Sequence, residues 1–173
     1  MTFTRRGRVP SNGPRAGTET LSPTRRYGMF KKILVPTDGS TLAQSAAITA
    51  AQLAKSQGAQ VVGVYVIDPF PYIGIGDASA VGLQAYMAEA RSAAGQALEA
   101  LGQVCKDEGV PFAGDTIERN VVYEGVIETA QAEGCDLIVM ASHGRTGVKA
   151  LILGSVAQKV LTHASMPVMI VKG

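Results

Sequence analysis

The residues best suited to chemistry lie late in the chain. They are Ala141-Ser142-His143-Gly144-Arg145-Thr146-Gly147 and, after Val148 to Leu153, Gly154-Ser155. Glycines let backbone N–H groups approach an anion's oxygens with no Cβ in the way. A helix N-terminus adds free N–H donors and partial positive charge. Arg145 brings a forked guanidinium suited to phosphate oxygens, and Ser155 a hydroxyl donor. The chemistry implied is the grip of a phosphate group. The same glycines also serve ordinary turns and helix packing, and spacing alone does not choose between the two. Neither GxxxxGK[ST] nor GxGxxG is present. The apolar pattern predicts a helix from Lys149 to His163, which places Gly154 inside it. A glycine there costs about 1 kcal/mol against alanine, which suggests close backbone approach to something.

A second candidate lies early, in Pro36-Thr37-Asp38-Gly39-Ser40. Asp38 can accept hydrogen bonds from a ribose or a base edge, can help hold a hydrated metal, or can simply cap the next helix. His143 reads as a donor or spacer. The only other histidine is His163, near a helix C-terminus where it suits the dipole, and no Ser-His-Asp arrangement is visible.

These two segments need elements to position them. Lys32 to Pro36 (KILVP), Val61 to Ile67 (VVGVYVI), Asp136 to Ser142 (DLIVMAS) and Pro167 to Lys172 (PVMIVK) are short apolar runs, as expected of strands buried on both faces. Phe112 to Arg119 is a weaker fifth. Helical segments are expected at Leu42–Ser56, from about Ala78 to Glu108, at Val122–Glu133, and at Lys149–His163. Gly58, Gly109 and Gly134 stand at their stops. Ala90, Ala94, Ala97, Leu98 and Leu101 share one helical face and read as core. The order is β-α-β-α-β-α-β-α-β. It predicts a single doubly wound α/β domain with a five-stranded, mostly parallel sheet and helices on both faces. Ligands in such sheets sit beyond the carboxyl ends of the strands where strand order reverses. Both candidate segments follow strands at that edge.

The 173 residues suit one core. Residues 1–28 hold six Arg and one Glu, are rich in Pro, Gly, Ser and Thr, and show no period. They are expected to be a disordered basic tail. The other 145 residues hold ten Lys or Arg and thirteen Asp or Glu. A mildly acidic body with few aromatics and no Trp argues against nucleic acid as partner. No apolar stretch reaches the length of a membrane span, and no secretory signal is visible. Cys105 and Cys135 lack metal-site spacing, and two free thiols suit a cytoplasmic protein.

At this point the sequence resembles the universal stress protein family, in its ATP-binding branch. KKILVPTDGS at 31–40 resembles the family's opening, VYVIDP at 64–69 its second strand, and ASHGRTGVKALILGSVAQKVL with PVMIVK its C-terminal signature. The likeness covers Lys31 to Lys172. The family pattern is Gly, two residues, Gly, nine residues, then Gly-Ser or Gly-Thr. Gly144 and Gly154-Ser155 match it, while the first glycine is Ala141 here. The resemblance implies that Pro36, Thr37 and Asp38 hold the nucleoside end and that the Val66 backbone meets the adenine edge. It further implies that Ala141, Gly144, Arg145, Gly154, Ser155 and the Val156 backbone hold the phosphates. It implies ATP, ADP or AMP as ligand, with Mg2+ or Mn2+ bridging phosphates, and a homodimer formed through strand 167–172. No catalytic residue and no protein metal ligand are expected. The role implied is a nucleotide-dependent sensor in a stress response, with a slow ATPase or nucleotide hydrolase as the alternative. A flavin carrier would use Tyr65, Phe70 and Tyr72, but the glycine pattern fits it poorly.

Overall fold

The computed structural model describes residues 28–69, 80–144 and 153–172. Five strands, β1 (Lys32–Pro36), β2 (Gln60–Ile67), β3 (Phe112–Glu118), β4 (Leu137–Ala141) and β5 (Val168–Val171), form one sheet in the order β3-β2-β1-β4-β5. Every neighbouring pair is parallel. Parallel neighbours need crossovers, and these carry the helices α1 (Thr41–Gln57), α2 (Ala80–Asp107), α3 (Val122–Ala132) and α4 (Ser155–His163). The expected fold class is the observed one. Element ends differ from expectation by a residue or two, within the usual fraying, at every element but α4.

Period-two alternation in the strands divides the core between two faces. Ile33, Val35, Leu137 and Val139 pack with alanines of α1 and with Leu101 and Cys105 of α2. Leu34, Val62, Val64, Ile138 and Met140 pack with Val126 and Ala130 of α3 and Ala157 and Val160 of α4. Six alanines of α1 are buried, so the helix lies close to the sheet. Ser40 caps its start, with Ala43 N donating to Ser40 Oγ at 3.2 Å. Gly58 ends it at φ 66°, a left-handed conformation costly for any residue with a Cβ. Gly63 on β2 has no room for a side chain: a Cβ there would lie 2.7 Å from Leu101 and 2.9 Å from Phe112.

The last helix corrects the sequence expectation. α4 starts at Ser155, not Lys149, and Gly154 is its N-cap at φ −62° and ψ 151°, extended rather than helical. The physical reason is that Leu153 packs into the core from outside the helix, and Gly154 then turns the chain into it. Glycine is a favoured N-cap, so the cost expected of a mid-helix glycine does not arise. Residues 145–152, including Arg145, lie outside the described residues, as do Phe70, Tyr72 and residues 1–27 of the expected tail. Among the described residues no helix is long and apolar enough to cross a membrane.

Candidate functional site

β1 and β4 lie side by side, with Ile33 opposite Leu137 and Leu34 opposite Ile138. The chain leaves β1 toward β2 on one side and enters β4 from β3 on the other. The crevice between their carboxyl ends is therefore the switch point of the sheet.

On the β1 side the turn is held by its own short polar side chains. Thr37 N donates to the Val64 carbonyl at 2.9 Å. Ser40 N donates to Asp38 Oδ1 at 3.0 Å, and Gly39 N to Thr37 Oγ1 at 3.2 Å. Asp38 thus braces the turn while Ser40 caps the helix. β2 runs on past the end of β1, whose last paired residue, Pro36, faces Val64. The Val64 carbonyl points toward β1 and the Ile67 carbonyl accepts from Arg119 N on the β3 side. By alternation along the strand, the Val66 amide and carbonyl face the β1 side, at a level where β1 has ended.

On the β4 side Ser142 is buried and tied at both backbone ends. Its N–H donates to the Val171 carbonyl of β5 at 2.9 Å, and its carbonyl accepts from Gly154 N at 2.8 Å. The last bond fixes the start of α4 against the end of β4. A Cβ on Gly154 would lie 3.1 Å from the Ser142 carbonyl oxygen and 3.2 Å from His143 Cα, so this contact is built for glycine. Gly144 approaches the opposite turn: a Cβ there would lie 2.5 Å from Asp38 Oδ2. The two segments singled out in the sequence meet at this point.

Between them opens a cavity of about 710 Å³, within the range of small-molecule sites. Nine of the ten residues expected at a binding site line it: Pro36, Thr37, Asp38, Val66, Ala141, Gly144, Gly154, Ser155 and Val156. The tenth, Arg145, lies outside the described residues. The wall also holds residues that the spacing argument does not reach. Tyr65 comes from β2, Val122 and Val126 from α3, Met140 from β4, and Gln158 from the second turn of α4. They come from separate elements, so no local pattern announces them. His143 also lines the cavity, its Nδ1 3.1 Å from Ser142 Oγ. The arrangement offers an apolar wall, a carboxylate, small residues at a helix start, and one imidazole. Among the described residues no three His, Cys, Asp or Glu side chains gather as a metal site. Asp38 is the one carboxylate among the described lining residues.

Both thiols lie away from the cavity. Burial pushes Cys105 and Cys135 up to about 11, and the Lys32 ammonium only partly offsets this at Cys135. Both stay protonated near neutral pH, as inert core thiols do.

The profile of the universal stress protein family matches residues 29–172. The chain belongs to the universal stress protein family. Universal stress protein MJ0531 of Methanocaldococcus jannaschii is 36% identical over 145 residues, covering 83% of each chain. Among solved structures, that of MJ0577, a universal stress protein of the same organism, superposes with a TM-score of 0.73 at 28% identity. The match covers 84% of this chain and 97% of that one, and a biochemical function was assigned to MJ0577 from its structure. A universal stress protein of Archaeoglobus fulgidus, solved in complex with dAMP, shares the fold with a TM-score of 0.58 at 22% identity. That match covers 82% of this chain and 98% of the other.

Proposed function

We propose that this universal stress protein binds an adenine nucleotide, ATP or its shorter ADP and AMP forms, in the cavity between the ends of β1 and β4, and acts as a nucleotide-dependent sensor. The observation that carries the reading is the meeting of the Asp38 turn with the Gly144 and Gly154-Ser155 backbone around one cavity of about 710 Å³. In this reading the Val66 amide and carbonyl take the adenine edge and Asp38 the ribose. The phosphates lie along Gly144 and the start of α4, where free N–H groups and the helix dipole favour anions. A Mg2+ or Mn2+ ion would travel with the phosphates. The dAMP complex of the Archaeoglobus relative supports the choice of an adenine nucleotide. Mass spectrometry of the protein purified without added nucleotide, with calorimetric titration of ATP and GTP, tests this. The expected result is retained adenine nucleotide and tighter binding of ATP than of GTP. Absence of both retention and binding at millimolar ATP would sink it.

A slow ATPase or nucleotide hydrolase is the second reading, favoured by an imidazole and a carboxylate lining the same cavity. Turnover above about 1 s⁻¹, near ordinary enzyme rates, would put it first.

The same reading extends to assembly, with a homodimer formed through β5. Of the two edge strands, β3 carries Asp115 and Glu118, charges that discourage pairing. β5 reads VMIV with Met169 exposed, an apolar edge that a second copy would cover around a two-fold axis. Sedimentation is expected to give a dimer at micromolar concentration and a monomer for Met169→Lys. A monomeric wild-type chain under those conditions would refute the pairing.

A further inference from the structure

We infer that His143 is the proton-linked phosphate contact of this site, so that acidification tightens its hold on polyphosphate nucleotides. The inference rests on the nucleotide reading above and adds the regulation of that site.

Three observations carry it. First, the described part of the cavity wall is poor in cations. Among the described lining residues there is no Lys or Arg, and His143 is the one side chain able to become positive. Second, its neighbour orients it. Ser142 is buried and pinned through its backbone to β5 and to the N-cap of α4, and its Oγ lies 3.1 Å from His143 Nδ1. A hydroxyl both donates and accepts. It therefore serves Nδ1 when the ring is neutral and again when Nδ1 carries a proton, so the ring holds its place through the charge change. Nε2 is then the nitrogen left to meet a ligand. Third, His143 lines the cavity with Gly144 and Gly154, where the phosphates would lie, its Cα and Cβ 3.2 and 3.3 Å from where a Cβ on Gly154 would sit.

Among the described residues, the charged and titratable groups around it are few. Asp38, from the β1 turn, is the nearest anion in the wall, and Tyr65 of β2 is the other titratable lining residue. α3 contributes Val122 and Val126, and α4 contributes Ser155 and Gln158. Lys159 of α4 and Glu124 of α3 engage Tyr123 instead, Lys159 Nζ standing 5.1 Å from the ring centroid. β5 offers the Val171 carbonyl to Ser142. Histidine is the side chain whose charge changes between pH 5 and 8. The sign follows from linkage. A polyanion binds the imidazolium form better, through a charge-assisted hydrogen bond. Binding therefore takes up a proton, and affinity rises as pH falls.

The test is calorimetric titration of the full chain with ATP and with adenosine from pH 5.5 to 8.5, for wild type, His143→Gln and His143→Lys. ATP's own titration is common to all three proteins and cancels in the comparison. Wild-type affinity for ATP is expected to rise about 10-fold more than that of His143→Gln on going from pH 8.5 to 5.5. Adenosine should show no such difference. His143→Lys, a permanent cation, should bind ATP at pH 8.5 at least as well as wild type and lose the histidine-dependent part of the pH slope. Equal pH profiles for wild type and His143→Gln, with both binding ATP, would overturn the inference and leave the nucleotide reading standing. If the Gln variant does not fold, equal profiles for wild type and His143→Lys overturn it in the same way. No ATP binding by wild type at any pH would overturn both.

Discussion

Gly144→Val is expected to weaken ATP binding by about 100-fold or more, roughly 2.7 kcal/mol, with the fold left standing. The first atom of any side chain at 144 would already lie 2.5 Å from Asp38 Oδ2. Asp38 cannot simply swing away, because Oδ1 accepts from Ser40 N and braces the turn before α1. A valine therefore displaces the carboxylate and fills the crevice between β1 and β4, removing together the ribose contact and the approach to the phosphates that the proposed function assigns there. Gly144 is not among the glycines with positive φ and is exposed, so the backbone accepts a side chain without strain. Calorimetric titration with ATP, paired with thermal unfolding, checks both halves. A folded variant that binds ATP like wild type would mean that the nucleotide sits elsewhere.

The largest stability effect is expected at Ile138. It is fully buried in β4, between β1 and β5, and belongs to the cluster with Leu34, Val126 and Val160. Ile138→Ala removes three carbons from a site walled by strands on both sides and helices above, where little can collapse into the gap. The expected loss is about 2–5 kcal/mol, and about 0.5–1.5 kcal/mol for Ile138→Val. Against the 5–15 kcal/mol typical of a whole domain, the alanine variant approaches the limit of folding. Urea denaturation measures both. Met140, Ala157 and Val126 belong to the same cluster and also line the cavity. A cavity at 138 should therefore also loosen the site, visible as weaker nucleotide binding. A cost below about 1 kcal/mol for the alanine variant would contradict the packing described.

Much of this was readable from residue order. KILVP at 32–36 and the apolar run within 137–141 suited strands buried on both faces, and alternation with Ala-rich helices implied a mostly parallel sheet. Asp38 and Gly144 were each readable as candidates for the site, because turn chemistry and glycine spacing are local signals. Their contact across the crevice was not, since it depends on which strands become neighbours. The start of α4 misled for a related reason. The apolar period of the sequence runs on through Leu153, and periodicity cannot distinguish a helical residue from one that packs into the core just before a helix starts. Gly-Ser before a helix was the available clue, as an N-cap rather than an interior pair. Tyr65, Val122 and Gln158 reach the cavity from three elements, and the tertiary structure alone brings them together.

The parallel sheet also makes the two ends of the domain unlike. Met29 N donates to Gln57 Oε1 at 2.7 Å, and Lys31 N to Asp136 Oδ2 at 2.8 Å. The domain therefore begins at the pole where α1 ends and β4 starts. At the other terminus, Val171 is hydrogen-bonded to Ser142 beside the cavity. One strand length, about 16 Å for the five residues of β1, separates the two poles. A tag, fluorophore or surface tether placed before Met29 leaves from the pole without the cavity. The same addition after Lys172 emerges at its rim. Tethering directly at Met29 thus presents the site outward, and the choice of attachment point becomes a simple handle on access to it.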